Sequence, residues 1–315
     1  MISYRTFRNT DPPAIAAIWR SRAGQRGLVQ PVSCDLLEQL VFAKLYFDYR
    51  GLIIAWDDGR PLGFAHAGFA PNKARNGLCT SQGIICLLLV RPDCSEMEVA
   101  CGLLERCEDY LRGKGAVAVW GGSSGVRSPF YLGLYGGSSV PGVLDSDVLA
   151  RQAYIARGYV ETERTVILER DLASFEPAVD RQQMAIRRQM VVEVTVDAPT
   201  CSWWEACLYG NFELKRFEVV TRNSRATAAW AVFRSMEAVG TSGVTRGAGL
   251  LELYVNEPFR RRGVAVFLLS EAFRQFWREG VSVIETQAAQ DNLAGLALLN
   301  KLGFRQVGIG SVFRK

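Results

Sequence analysis

Short stretches in which apolar and polar residues alternate are separated by longer ones in which apolar residues recur every three or four positions. That pattern predicts strands interleaved with helices. A strand over Ser3–Phe7 is followed by Asp11 at a helix N-cap, Pro12 and Pro13 in the first turn, and Ile15, Ile18 and Trp19 on one helical face. A second helix is predicted after Ser33, carrying Leu36, Leu37, Leu40, Val41 and Leu45. Strands Leu52–Trp56 and Leu62–Phe69 meet at Asp57-Asp58-Gly59, a hairpin signal. Strand Ile84–Val90, a helix over Glu96–Arg112 and strand Ala116–Trp120 come next. Residues 121–146 break the pattern with two Gly-Gly pairs and the aromatics Phe130, Tyr131 and Tyr135. An irregular stretch of this length is expected to serve as a lid or pocket wall. A helix over Asp147–Arg157 and a strand over Val160–Glu169 close the first half.

Residues 172–189 are polar and charged, with Pro177 and the pair Arg187-Arg188, and are read as a linker. The strand pattern then returns over Val191–Val196, Phe212–Thr221 and Ala226–Ala238, with a short Trp-rich helix at Ser202–Tyr209 and a turn at Asn223-Ser224. Strand Leu250–Val255, helix Arg260–Glu279, strand Val281–Gln287, helix Leu293–Leu302 and strand Gln306–Arg314 follow. This is the order of the first half with its front helices cut short. The chain reads as two copies of one mixed α/β unit, 1–172 and 173–315.

Composition removes several kinds of chemistry. The longest apolar run, Ile84–Val90, is far short of the roughly 20 residues that span a bilayer. No basic leader precedes an apolar core at the N-terminus, so a cytoplasmic protein without membrane attachment is expected. The 8 cysteines form no C-x-x-C pair and read as free thiols in a reducing compartment. One histidine, His66, excludes His-based zinc sites and leaves a Ser-His-Asp mechanism a single base; no metal is expected. The net charge of +5 is compatible with an anionic ligand, and no basic run with interleaved aromatics argues for nucleic acid.

The most informative stretch is Val255-Asn256-Glu257-Pro258-Phe259-Arg260-Arg261-Arg262-Gly263-Val264-Ala265. A strand ends, a turn brings three arginines, and a helix opens on a glycine and a small residue. Unpaired N–H groups and the dipole at a helix start favour an anion. Gly263 and Ala265 let it approach the main chain, and the arginines supply charge and forked donors. The ligand group expected there is a phosphate or pyrophosphate.

With this stretch the sequence resembles the GNAT superfamily of acyl-CoA-dependent N-acyltransferases, whose signature V-x-P-x-x-[QR]-x-x-G-x-[GA] is matched at Val255, Arg260, Gly263 and Ala265, with the proline displaced to Pro258. A second family element, N-x-x-A-x-x-[LF]-Y-x-x-x-G-F, is matched at Asn292, Leu298, Gly303 and Phe304; Gly295 replaces the alanine and Leu299 the tyrosine. The first half keeps Val90, Pro92 and Ala100, but Ser95 stands at the arginine position and Glu98 at the glycine. Asp147, Ala150, Tyr154, Gly158 and Tyr159 echo the second element.

The resemblance implies two tandem domains, each a mixed, mostly antiparallel, splayed sheet flanked by helices, with only the second copy equipped for CoA. It implies that Leu253 and Val255 bond the pantetheine arm, that Arg260, Arg261, Arg262, Gly263, Val264, Ala265 and Val266 hold the pyrophosphate, and that Asn292 touches the pantetheine or adenosine side. Acetyl-CoA or another acyl-CoA is the implied co-substrate. An amine of a small molecule or peptide is the implied acceptor, and a homodimer is left open. The position of the family's general acid is Leu299, and even spacing from Val255 gives Leu253, Leu251 and Gly249 on the cleft face, none ionisable. Glu252 and Tyr254 have the opposite parity and are expected to face away; with Tyr154 they are the remaining catalytic candidates. The alternative is a non-catalytic acyl-CoA-binding or regulatory module. The first copy and its 121–146 insertion are expected to close the acceptor pocket. His66, Cys201, Trp203, Trp204 and Cys207 read as core or packing residues.

Overall fold

A computed structural model describes residues 1–176, 180–237 and 246–315, apart from the side chain of Val126. Pro177 of the expected linker and Ala238, at the end of an expected strand, lie outside the described residues. The chain divides into two compact units. The N-terminal one holds Met1–Val166, Cys201–Asn211 and Gly308–Lys315; the C-terminal one holds Ile167–Thr200 and Phe212–Val307.

The N-terminal unit begins with β1 (Ser3–Thr6), α1 (Pro12–Ser21) and α2 (Cys34–Leu37), the last capped by Ser33 and extended by a π turn over Glu38–Phe42. Asp11 caps no helical N–H through its side chain; its carboxylate is instead clamped by both Nη atoms of Arg5, at 2.7 and 2.8 Å. β2 (Leu52–Asp57), β3 (Arg60–Pro71) and β4 (Leu78–Val90) continue the antiparallel sheet. After α3 (Glu96–Gly113), β5 (Ala118–Gly121) runs parallel to β4. Across the 121–146 stretch the chain forms a 3-10 turn at Gly125–Arg127 and a short β6 (Val143–Leu144), followed by α4 (Val148–Ala156) and β7 (Val160–Asp171). Apolar residues from α3, α4 and the inner sheet face, Leu103, Leu104 and Ile85 among them, form the core.

The C-terminal unit repeats the plan. The expected linker is not all irregular: α5 (Arg181–Gln189) starts at Asp180, whose carboxylate accepts from Gln183 N at 2.7 Å, and buries Gln183 and Ile186. Its polarity concealed a helix with only one narrow apolar side. β8 (Met190–Val196) leads to α6 (Trp203–Tyr209), which packs in the N-terminal unit. There Trp204 is buried with its ring 5.2 Å from that of Tyr46. β9 (Leu214–Thr221), β10 (Thr227–Glu237) and β11 (Arg246–Val255) are antiparallel neighbours. α7 (Val264–Arg278) crosses to β12 (Val283–Ala289), which lies parallel to β11. α8 (Leu293–Lys301) and β13 (Arg305–Arg314) end the chain. The last part of β13 pairs with β5 and β6 of the N-terminal unit, Phe313 opposite Gly121 and Gly310 opposite Leu144.

Candidate active site

The repeat is visible in the hydrogen-bond register. β4 and β5 pair from Gln82/Ala118 to Ile85/Gly121, and β11 and β12 from Gly247/Val283 to Leu250/Thr286, each 165 positions later. Each central strand then bulges at one residue: Cys86 between the rungs at Ile85 and Leu87, and Leu251 between those at Leu250 and Glu252. A bulge ends regular pairing and turns the chain. In the C-terminal unit the last rung is closed by Thr286 Oγ1, which donates to Leu250 O at 3.0 Å. Beyond it the strands part around a cleft.

 A separate hollow of about 370 Å³ lies at the opposite end of β11, beside Phe233 and Phe276. The cleft beyond the last rung measures about 170 Å³ and is bounded by Leu251, Glu252 and Leu253 on one strand, Gln287 and Ala288 on the other, and Leu298 and Leu299 of α8.

The bulge also corrects the parity argument. Even spacing from Val255 holds for Leu253 but fails beyond Glu252, because Leu251 is an extra residue and Leu250 takes up the inward phase opposite Phe233. Glu252 lies after the bulge and keeps the parity of Tyr254; it is exposed, borders the cleft, and accepts from Trp230 Nε1 at 3.2 Å. Tyr254 stacks on the Trp230 ring at 4.3 Å, with the Arg216 guanidinium 5.0 Å from the indole and that of Arg260 5.8 Å from the phenol.

The turn before α7 is built for close approach to its backbone. Arg261 and Gly263 both take positive φ, 60° and 80°, and no side chain caps the helix. The first helical bond runs from Phe267 N to Gly263 O at 3.0 Å, so the N–H groups of Val264, Ala265 and Val266 have no carbonyl in a preceding turn. Arg260 is held by its own strand, Nε donating to Val255 O at 3.0 Å, while Arg261 and Arg262 are exposed. Asn292 caps α8, its Oδ1 accepting from Gly295 N at 3.0 Å, at the edge of the cleft.

The first repeat holds the same positions in a closed state. Its equivalent cleft, from Cys86 and Leu88 to Asp147 and Tyr154, measures about 10 Å³. Tyr154 occupies the place that Leu299 has in the second repeat, with its hydroxyl 3.5 Å from Ile85 O and its ring stacked on Phe313 at 5.5 Å. Burial pushes its phenol pKa up. Tyr135, Gly142 and Val143 of the insertion fill the rest. α3 begins at Glu96, so Glu98 is already helical where Gly263 is still in the turn. Arg22 reaches Glu96 at 3.8 Å and Asp147 at 4.0 Å. The expected lid is therefore core: Phe130 packs on His66 at 4.2 Å, Tyr131 holds His66 Nδ1 at 3.0 Å, and Tyr135 accepts from Leu144 N at 2.9 Å. These aromatics are too buried to serve as an open pocket wall. Among the described residues no cluster of His, Cys, Asp and Glu could hold a metal, and no helix is long and apolar enough to cross a membrane.

Residues 198–304 match the acetyltransferase (GNAT) family. No curated protein sequence matches the chain. Among solved structures, a tandem GNAT protein from the clavulanic acid biosynthesis pathway, solved without AcCoA, is similar over 100% of this chain and 98% of its own, with TM-score 0.69 and 15% identity. A GCN5-related N-acetyltransferase from Sphaerobacter thermophilus is similar over 100% and 95%, with TM-score 0.63 and 16% identity. A GCN5-related glucosamine N-acetyltransferase region of a fungal multi-domain GH3 β-N-acetylglucosaminidase gives TM-score 0.69 and 17% identity over 100% of this chain and 38% of that one. The fold is that of the tandem GNAT structure, and the stretch similar to the acetyltransferase (GNAT) family lies in the second repeat.

Proposed function

We propose that the C-terminal unit binds acyl-CoA and transfers its acyl group to an amine, while the N-terminal unit binds none. The observation that carries this reading is the contrast between equivalent clefts, about 170 Å³ in one repeat and about 10 Å³ in the other. The pantetheine arm would lie along β11 and bond the main chain of Leu253 and Val255. The pyrophosphate would sit on the free amides between Arg261 and Val266, with Arg260, Arg261 and Arg262 adding positive charge and Asn292 flanking the arm.

Glu252 is the best-placed base: it borders the cleft, is exposed, and is oriented by the Trp230 N–H. The carboxylate would take a proton from the acceptor ammonium. The amine then attacks the thioester carbonyl, the N–C bond forms and the C–S bond breaks. The second amine proton leaves as the thiolate is protonated, giving amide and CoA thiol. Tyr254 supports Trp230 from its other side rather than serving as the first choice of acid. Tyr154, sealed in the first repeat, has no part in this scheme.

The test is a panel of amines with acetyl-CoA and detection of released thiol. Turnover is expected with at least one amine, and Glu252→Gln is expected to lower it about a hundredfold while leaving CoA affinity unchanged. Thiol release from no amine would favour the non-catalytic acyl-CoA-binding alternative. Full activity in Glu252→Gln would remove Glu252 as the base.

A further inference from the structure

The segment before the second repeat, outside the stretch that matches the family, brings α5 against the turn that opens α7. Gln183, buried, donates from Nε2 to Gly263 O at 3.4 Å. Arg187 near the other end of α5 pairs with Glu271 of α7, so the helix is fixed at two points along its length. A Cβ added at Gly263 would lie 3.1 Å from Gln182 Cδ and 3.2 Å from both Gln182 Oε1 and Gln183 Nε2. The Gln182 carboxamide thus rests on the one residue of the turn that has no side chain. It is exposed, and among the described residues it makes no hydrogen bond.

We propose that Gln182 is a ligand of the CoA phosphates and that Gln183 holds the turn at Gly263 in its left-handed form, which makes α5 part of the CoA site. The proposal rests on the reading of the α7 start as the pyrophosphate cradle. Gly263 O has two lone pairs, one taken by Phe267 N and the other available to Gln183, so the second bond does not compete with the helix. The neutral amide of Gln182 can donate to a phosphate oxygen without the repulsion or desolvation that a carboxylate would bring there. The adjacent guanidiniums provide the charge and Gln182 the direction.

Calorimetric titration with CoA tests this in the full chain. Gln182→Ala is expected to weaken CoA binding about tenfold, with no change in unfolding temperature because the side chain is exposed. Affinity within about twofold of the unsubstituted chain would overturn the role of α5. Gly263→Glu separates this outcome from failure of the cradle itself. If Gly263→Glu loses CoA and Gln182→Ala keeps it, only the α5 proposal falls. If Gly263→Glu keeps CoA, the cradle reading falls with it.

Discussion

Gly263 and Glu98 stand at the same place in the two repeats, and on the proposed reading the difference between them decides whether backbone amides or a carboxylate would face an incoming phosphate. Gly263 has φ 80°, a conformation in which a side chain is strained, and a Cβ there would press on α5. Gly263→Glu should therefore cost CoA binding at least about a hundredfold while the far-UV spectrum keeps its shape. Retained affinity would show that the phosphate lies elsewhere. His66 makes a different demand. Burial depresses its pKa to about 3, while in an unfolded chain it titrates near 6.5. Between those values the unfolded chain takes up a proton that the folded one refuses, so stability is full above about pH 6.5 and falls as pH drops toward about 3. The unfolding midpoint should fall between about pH 7 and about pH 4.5, and His66→Gln should lose less over the same interval. An equal loss in both proteins would assign the acid sensitivity to other groups.

The strand–helix order was legible in the sequence because the helices bury one stripe, which periodicity reports, while β3 and β4 are buried on both faces and read as continuous apolar runs. α3, α7 and the hairpin at Asp57-Asp58-Gly59 follow from it directly. The bulge at Leu251 was not legible. A bulge changes which residues share a face without changing composition, and this one shifts Leu251 and the residues before it out of the even spacing counted back from Val255. α5 was hidden because six of its nine residues are polar or charged and only Gln183 and Ile186 are buried.

 

The ends of the strands also mislead a reading that cuts the chain in two. Gly308–Lys315 belongs to the N-terminal unit, where Phe313 is buried against Tyr154 and Lys315 Nζ meets the buried Glu108 carboxylate at 2.8 Å. Glu108 also receives Arg157 at 3.2 Å, and these two cations hold its carboxyl below the ordinary range despite burial, which pushes it up. Phe313→Ala should destabilise the N-terminal unit by about 3–5 kcal/mol, read as a lowered first unfolding transition. An unchanged transition would mean that β13 adds little to that unit's core.

Across the whole molecule the two repeats share strand register, the bulge and the helix caps, yet differ in what fills the gap between their central strands. In the first, Tyr154 and the insertion occupy the gap, and the helix begins a turn early at Glu96; in the second, Leu299 leaves the cleft open and the turn at Gly263 exposes its amides. The sequence motifs pointed to the proposed second-repeat site because phosphate binding favours glycine and arginine at fixed places. They could not show that the insertion was a plug, since buried aromatics and lid aromatics look alike in sequence. Titration of the full chain with CoA, followed by calorimetry, tests the single-site reading most directly. One CoA per chain is expected, unaffected by Glu98→Ala and abolished by Gly263→Glu. Two equivalent sites, or one site that survives Gly263→Glu, would contradict it.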